Sequence, residues 1–356
     1  MLHFGFSRSR EPHPMSSDPK HILVFLPNWL GDAVMATPAL RALRHRFPGA
    51  TITATGTGAT CQVLDGLPAI NHFVPLPQRP GFLASFGLGR TLRQSKPDLA
   101  VVFPNSPRAA WLAWLSGATQ RIGFARGGRG ILFTQSLARY TEARKRVPRY
   151  TALEYLALSE AVGAIDDNAG LELHADEDER AAVRSFLSPG RPVVGIAPGA
   201  AFGPSKQWLP ERFAAVADQL ADDVNAQCVL MTGPGEEATR DAVIKAARTP
   251  LIICHGDTPT IARLKATIAE VDLLIGNDSG PRHIAIAFKK PVICIMGSTS
   301  PRYTESPWET GEVVRIDVDC GPCQLPYCTT DHRCMTGVSV ARVVAAATAH
   351  LPEASE

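Results

Sequence analysis

Short apolar runs alternate with amphipathic stretches along most of this 356-residue chain. Continuous apolar runs of about four to eight residues are typical of buried strands, whereas apolar positions three and four apart are typical of helices. In the first half, this pattern predicts strands at 21–26, 51–56, 99–104 and 121–125, and helices at 38–47, 107–117 and 150–163. Strands that alternate with helices indicate a parallel sheet covered by helices.

The second half repeats this alternation. Strands are predicted at 192–199, 227–233, 250–256, 271–277 and 291–297. Helices are predicted at 176–187, 210–221, 236–247, 260–270, 281–288 and about 338–350. The whole pattern predicts an α/β protein with two doubly wound parallel-sheet domains of the Rossmann type.

An acidic stretch marks the boundary between these two domains. From Asp166 to Glu179 there are seven acids and no base, which is typical of a solvated linker that leads into a helix N-terminus. The predicted organisation is a disordered extension (1–20), a first domain (21–170), a second domain (176–336) and a C-terminal helix (337–350) that could pack back on the first domain. Order is expected to begin near Lys20, and Met15 is a candidate start.

Composition narrows the class of protein. Hydrophobic residues make up 45% and charged residues 20% of the chain, as in an ordinary globular protein. No apolar run reaches the roughly 18–20 residues of a membrane helix, and no signal peptide is recognisable, so a cytoplasmic location is expected. The net charge of +2 does not favour nucleic acid, but Arg121–Arg149 contains eight basic residues and one acid, Glu142.

The eight cysteines fall into two groups. Four are dispersed and are expected to be buried thiols in a reducing compartment: Cys61, Cys228, Cys254 and Cys294. Four are clustered around His332: Cys320, Cys323, Cys328 and Cys334. The cluster opens with C-x-x-C but lacks a second such pair, so a reduced or loosely disulfide-paired loop is favoured over a structural zinc site.

The loop after the predicted strand 271–277 has the features of an anion site. Pro281 suits the first turn of a helix, and the free amides around Ser279 and Gly280 would face an anion, with His283 on the same turn. The alternative is a well-capped helix without a ligand, with Asn277, Asp278 or Ser279 as the cap.

Two other strand ends of the second half point to a nucleotide. Residues 198–205 are rich in glycine, alanine and proline and lead to Lys206, a mobile positive charge. Glu236 and Glu237 begin a helix, where one acid would complement the helix dipole and the other could bind ribose hydroxyls. Together these loops predict a nucleotide diphosphate on the second domain, although each has a purely structural alternative.

The first strand of the chain ends in a different corner. Gly31 is followed by a carboxylate, Asp32, which would repel a phosphate. Asp32 could instead be a general base or the N-cap of the following helix. Pro38 lies inside that helical pattern, so the helix either kinks there or starts anew at Thr37–Pro38.

Residues 26–53, 198–213 and 276–301 together resemble the lipopolysaccharide heptosyltransferases of glycosyltransferase family 9, over nearly all of residues 21–345. The cysteine-containing tail is similar to that of the heptosyltransferase II subgroup. The resemblance implies a GT-B architecture, with two Rossmann-like domains that face each other across a cleft. It also implies metal-independent, inverting transfer of heptose from ADP-heptose to the inner core of a lipid A-linked saccharide, with no cofactor.

The resemblance also assigns roles to individual residues. Asp32 matches the catalytic base, Lys206 the lysine on the donor phosphates, and Glu236 or its neighbour Glu237 the ribose-binding acid. The matched donor loop consists of Asp278, Ser279, Gly280 and His283, while Arg282 receives no role.

The family's acceptor is an anionic glycolipid. Gly31, Arg121, Arg126 and Arg129 are the predicted acceptor contacts, and the basic stretch is expected to favour peripheral association with the inner membrane.

Three other functions compete with transfer to a heptosyl-Kdo2-lipid A acceptor. One is a heptosyltransferase I-like reaction on Kdo2-lipid A. Another is a zinc-bearing nucleic-acid-binding protein, which the lack of aromatic residues interleaved with the basic stretch disfavours. The third is a nucleotide-sugar epimerase or dehydrogenase, which would need a dinucleotide fingerprint after the first strand.

Overall fold

The chain forms two units, each with one parallel sheet, and the boundary between them along the chain lies between Glu172 and Leu173. The computed structural model describes residues 17–77, 82–138, 141–142, 145–254 and 259–351. Both sheets are built from parallel strands connected through helices, which confirms the predicted fold class.

Unit 1 contains a six-stranded sheet of order β3-β2-β1-β4-β5-β6. Its strands are β1 (His21–Phe25), β2 (Thr51–Gly56), β3 (His72–Pro75), β4 (Leu99–Val102), β5 (Gln120–Phe124) and β6 (Gln135–Leu137). Two short antiparallel strands follow, β7 (Thr141–Glu142) and β8 (Lys145–Arg146). Its helices are α1 (Leu30–Met35), α2 (Thr37–Arg46), α3 (Gly58–Val63), α4 (Phe82–Gln94), α5 (Pro107–Leu115) and α6 (Thr151–Glu160).

The apolar runs of unit 1 pair in register. Ile22 of β1 lies between Ile52 of β2 and Leu99 of β4, and all three are fully buried. The strand order reverses between β1 and β4, and ligands of open α/β sheets bind beyond the carboxyl ends of the strands at such a point. The end of β1, followed by helix α1 with Asp32, therefore lies at the expected ligand position.

Pro38 separates two helices rather than kinking one. Helix α1 ends at Met35, Ala36 links the helices, and α2 begins at Thr37 with Pro38 in its first turn. A proline is tolerated there because the first backbone N–H groups of a helix have no partner within the helix. Of the two alternatives left open by the sequence, the structure shows the new start at Thr37–Pro38.

Unit 2 contains a five-stranded parallel sheet of order β10-β9-β11-β12-β13. Its strands are β9 (Val193–Ala197), β10 (Gln227–Leu230), β11 (Leu273–Asn277), β12 (Val292–Ile295) and β13 (Gly311–Val314). Its helices are α7 (Glu177–Arg184), α8 (Pro210–Val224), α9 (Glu237–Ala246), α10 (Ile261–Glu270), α11 (Gly280–Ala287), α12 (Arg333–Thr336) and α13 (Val340–Thr348). The strand order reverses between β9 and β11, the strands that precede Lys206 and Asp278.

Two predicted elements of unit 2 differ from the structure. The strand expected at 250–256 is a single parallel bridge between Ile252 and Val229 of the edge strand β10, and residues 255–256 lie outside the described residues. The C-terminal helix, suggested to pack on the first domain, buries Val343, Val344, Ala346 and Ala347 in the core of unit 2. It packs there against α8 and β13 because those elements expose a complementary apolar surface.

The remaining predictions about the chain concern its cysteines and membranes. The dispersed Cys61, Cys228, Cys254 and Cys294 are buried free thiols, as expected. None of the helices within the described residues is long and apolar enough to cross a membrane.

Candidate active site

The carboxyl end of β11 joins three segments of unit 2. Asn277 is 1% exposed; its Nδ2 donates to the Pro198 carbonyl (2.7 Å), and its Oδ1 accepts from the Trp208 backbone N–H (3.1 Å). The loop after β9, which carries Lys206, is thereby fixed beside the start of α11. Residue Ser279 is the N-cap of α11 by backbone position, but its side chain makes no capping hydrogen bond.

Asp278 and Lys206 form a buried ion pair at this point. Lys206 Nζ donates to Asp278 Oδ2 at 2.7 Å and to the Asp278 carbonyl at 3.0 Å. Thr299 Oγ1 donates to the same Oδ2 at 2.8 Å. An ammonium group has three N–H donors, so Lys206 keeps one donor beyond these two bonds.

Arg282, which the resemblance leaves without a role, lies at the centre of the network. It is 1% exposed, donates to Asp278 Oδ1 at 2.9 Å, and forms a bidentate pair with Glu309 at 2.7 and 2.6 Å. Asp278 lies two residues before the first residue of α11, so the spacing of four residues is not a helix-face pair and the sequence carried no clear signal for this contact. Glu309 comes from a distant loop and carries no signal either.

The network controls the charge of Asp278. Burial by itself would raise the pKa of this carboxyl, but the positive charges of Lys206 and Arg282 outweigh burial and hold that pKa well below its usual range. Asp278 is therefore ionised at neutral pH. The carboxylate accepts hydrogen bonds from Lys206, Thr299 and Arg282 and so holds both cations in place.

His283 and Ser279 carry buried polar atoms at the start of α11. His283 Nδ1 and Ser279 Oγ have no hydrogen-bond partner among the described residues. Burial, together with the positive charge of Arg282, lowers the pKa of His283 to about 3. The imidazole is therefore neutral at physiological pH. Unpaired buried polar atoms are uncommon in proteins, so these two atoms are candidates for contact with a ligand.

The two candidate ribose-binding acids are now distinguishable. Glu236 Oε2 accepts from the Gly233 backbone N–H at 2.7 Å, and its carboxylate covers Gly199, where an added Cβ would lie 2.0 Å from Oε1. Glu237 is exposed and bonds only to the local Gly235 N–H. Of the two, Glu236 is the acid held against the carboxyl end of β9.

A small depression lies beside Glu236, at the carboxyl end of β10. Its volume is about 370 Å³, and it is lined by mainly apolar groups, among them Met231, Pro234, Ile261 and Leu264. Pockets that bind planar aromatic groups have this apolar character.

The clustered cysteines belong to a segment that supports the Lys206 loop. Ser205 N–H donates to the Pro326 carbonyl (3.1 Å), and His332 Nε2 lies 3.0 Å from the Ser205 carbonyl. Gly203 has φ of +150°, and a Cβ there would lie 2.4 Å from the Pro326 oxygen, so only glycine fits. This segment therefore sets the position of the loop that carries Lys206.

The four clustered cysteines are free thiols that line one cavity of about 380 Å³ together with His332. Within the described residues, no group of three or more His, Cys, Asp or Glu side chains is arranged to hold a metal ion.

Asp32 follows β1 at the carboxyl edge of the unit 1 sheet. It is the third residue of α1 and is half-buried, while the N-cap is Trp29, which makes no side-chain capping bond. The alternative in which Asp32 caps this helix is therefore wrong. Gly31 is buried within the same helical turn, so the helix and not a left-handed backbone forms the corner.

A depression of about 480 Å³ lies at the carboxyl edge of the unit 1 sheet. Its polar lining includes Asn28 after β1, Thr57 after β2, and Ser106 and Arg108 at the start of α5. Arg108 was missed because it stands outside the basic stretch 121–149, and only the sheet brings the end of β4 beside the end of β1.

The three predicted acceptor arginines lie in different places. Arg121 is at the amino end of β5, the edge opposite to Asp32, and donates to the carbonyls of Leu132 and Ala118, which speaks against acceptor binding. Arg129 is buried and donates to the Phe124 carbonyl and to Asn105 Oδ1. Arg126 is exposed just beyond the carboxyl end of β5.

Comparison with known proteins identifies the class. The model of glycosyltransferase family 9 (heptosyltransferase) matches residues 85–333. Lipopolysaccharide heptosyltransferase 2 of Escherichia coli K12 is 30% identical over 308 residues, covering 83% of this chain and 88% of the relative. The corresponding protein of Salmonella typhimurium is 28% identical, with the same coverage.

The solved structures agree with the sequence relatives. The structure of E. coli ADP-heptose LPS heptosyltransferase II has a TM-score of 0.78 and 26% identity, covering 92% of this chain and 98% of that one. The chain belongs to glycosyltransferase family 9 and is a glycosyltransferase. This confirms the resemblance found in the sequence and rejects the epimerase or dehydrogenase alternative.

Proposed function

We propose that this enzyme transfers L-glycero-D-manno-heptose from ADP-heptose to the heptosyl-Kdo2-lipid A inner core during lipopolysaccharide synthesis. The observation that carries the proposal is the buried Lys206–Asp278–Arg282 network at the strand reversal of unit 2. It holds an ammonium group beside the N-terminus of α11, where a diphosphate would bind. The names of the heptosyltransferase 2 relatives support the choice of donor and acceptor.

Each part of the donor has a matching group on unit 2. The remaining donor of Lys206 and the amides at Ser279 and Gly280 bind the diphosphate, while Glu236 accepts hydrogen bonds from the ribose hydroxyls. The adenine occupies the apolar depression beside Glu236. His283 and Ser279, with their unpaired polar atoms, bind the diphosphate or the heptose.

The reaction is an inverting displacement. Asp32 removes the proton of the acceptor hydroxyl as its oxygen forms a bond to the anomeric carbon. The bond from that carbon to the β-phosphate oxygen breaks on the opposite face, and ADP leaves with the electron pair. Lys206 and the α11 amides stabilise the negative charge that develops on ADP, so the proposed transfer needs no metal ion.

The acceptor is assigned to the carboxyl edge of unit 1. Its phosphate groups pair with Arg108 and Arg126, and its hydroxyls bond to Asn28 and Ser106. Gly31 and Arg129 remain predicted contacts, with Arg129 acting by fixing the Asn105 loop. Because the donor is a nucleotide sugar and the acceptor is anchored by lipid, the enzyme is proposed to act in the cytoplasm at the surface of the inner membrane.

The test is incubation of the purified protein with ADP-heptose and either Kdo2-lipid A or its monoheptosylated form, in buffer with EDTA. Mass spectrometry is expected to detect one added heptose on the monoheptosylated acceptor only. Extension of Kdo2-lipid A instead would establish the heptosyltransferase I-like alternative. Extension of neither acceptor, with ADP-heptose bound, would reject the acceptor assignment, and dependence on an added metal would reject metal-independent transfer.

A further inference from the structure

Helices α4 and α5 of unit 1 present an exposed aromatic face, which we define as Phe86, Trp111 and Trp114. Phe86 is 45% and Trp114 47% exposed, with the half-buried Trp111 between them. The indoles of Trp111 and Trp114 stack at 5.0 Å, and the ring of Phe86 meets Trp111 edge-on at 6.1 Å. The three rings therefore form one continuous apolar patch.

The core of unit 1 does not need this patch. Helix α5 packs on the sheet through Ala109, Ala110, Leu112 and Ala113, all buried. The two helices approach closely at Gly89, where an added Cβ would lie 2.5 Å from the Leu115 Cβ. A clustered apolar patch that remains exposed after the core is complete is typical of an interaction surface.

Positive charge surrounds the aromatic face. An open groove of about 1060 Å³ beside Phe86 is lined by Arg90, Arg93, Gln94 and Leu115. The sequence from 82 to 118 has four basic residues and one acid, Asp98. Asp98 already accepts hydrogen bonds from the backbone N–H groups of Lys20 and His21. The arginines of the groove thus have no acid of this segment opposing them.

We propose that the aromatic face and the groove arginines bind the surface of an anionic phospholipid bilayer. Tryptophan rings favour the boundary between headgroups and acyl chains, and arginines beside them pair with lipid phosphates. The combination of exposed rings with an excess of basic residues over acids in 82–118 favours a phosphate-rich surface over a second copy of the chain. The inference deepens the proposed function, on which it rests for a lipid-anchored acceptor, by assigning the membrane contact to α4 and α5.

The test is co-sedimentation with vesicles of phosphatidylcholine alone or mixed with phosphatidylglycerol. The wild type is expected to bind only the mixed vesicles, and less in high salt. Reversal of two charges (Arg90→Glu with Arg93→Glu) is expected to weaken binding by more than about 20-fold, since each arginine near an anionic surface contributes roughly fivefold. Replacement of two rings (Phe86→Ser with Trp114→Ser) is expected to abolish insertion, measured as quenching of tryptophan fluorescence by brominated lipids.

Matched controls lie on unit 2. Lys245→Glu with Lys289→Glu reverses two exposed charges, and Phe186→Ser removes a ring that is 50% exposed. Both are expected to bind vesicles like the wild type. Equal binding by patch and control variants, or absence of wild-type binding to mixed vesicles, would overturn the proposal. So would a wild-type dimer that the ring replacements convert to monomers, because the face would then join two copies.

Failure of the membrane surface can be distinguished from failure of the proposed function. Transfer to a delipidated, monoheptosylated acceptor needs no bilayer, so the patch variants are expected to retain it with the wild-type kcat. If the wild type lacks this transfer but binds vesicles through the patch, the proposed function fails and the membrane surface stands. If transfer is intact and vesicle binding does not change in the patch variants, the proposed function stands and the membrane surface fails.

Discussion

The strand-reversal sites of the two units differ in how they hold their charged groups. In unit 2, Asp278, Arg282 and Glu309 are at most 8% exposed in their side chains and are tied into one network with Lys206. In unit 1, Asp32 is half-buried on the six-residue helix α1, and the depression at the carboxyl edge of that sheet is lined by other residues, among them Asn28, Ser106 and Arg108.

The two arrangements are suited to different chemical tasks. A leaving diphosphate is stabilised best by charges that are fixed before the reaction, because no reorganisation is then needed. A general base must instead exchange a proton with substrate, which requires access. The buried network of unit 2 and the half-buried carboxylate at the end of β1 therefore support the proposed division into a donor site and a base.

The largest expected effect comes from Asp32. The change Asp32→Asn removes the base and leaves the shape, so transfer is expected to fall by about 10²–10⁴-fold, with unchanged binding of ADP-heptose by calorimetry. Asp65→Asn, an exposed acid of the same unit, is the control. Lost donor binding with normal turnover at saturation would contradict the assignment.

Removal of Arg282 from the buried network of unit 2 is expected to reduce stability strongly. Arg282→Met leaves Glu309 buried without its guanidinium partner and is expected to lower the free energy of unfolding by about 3–5 kcal/mol, measured by urea denaturation. The matched change Arg248→Met removes a guanidinium whose side chain is 69% exposed and is expected to cost less than about 1 kcal/mol. Equal costs would mean that burial of the network contributes nothing.

The buried, neutral His283 is expected to make the stability of unit 2 depend on pH. Its pKa of about 3 lies below the ordinary value of 6.5, so between these values the unfolded chain binds a proton that the folded chain does not. Stability is therefore lost as pH falls from 6.5 towards 3, by up to about 1.4 kcal/mol per pH unit. Between about pH 7 and pH 5, the free energy of unfolding of His283→Gln, measured by urea denaturation, is expected to fall less steeply than that of the wild type. Parallel curves for the two proteins would refute this role of His283.

The smallest expected effect is on the affinity for ADP-heptose, and it distinguishes Glu236 from its neighbour Glu237. Glu236→Gln is expected to weaken ADP-heptose binding by about tenfold, as for the loss of a charge-assisted hydrogen bond to ribose. Glu237→Gln, on an exposed side chain, is expected to change it less than about twofold. Calorimetric titration with ADP-heptose compares the two, and a reversed order would assign the ribose to Glu237.

Much of the fold was predictable because the apolar periodicity is strong. The strands β1, β4, β9 and β11 coincide with predicted runs, since strands buried on both faces are nearly continuous in apolar residues. The short edge strands β3 and β13 were missed, because half-buried edges have a weak apolar signal. The run at 250–256 forms one bridge because it pairs with the sheet edge on a single side.

Periodicity and order along the chain were enough to indicate the two α/β units and the residues that follow the strands at the two reversals, and the resemblance indicated the family. The folded structure was needed to show which acid covers Gly199 and that Arg282 joins Asp278 to Glu309. Those facts depend on contacts between loops that are distant in sequence, and the sheet sets such contacts through its strand order. A charge seen in the sequence acquires its role only when its neighbours in the fold are known.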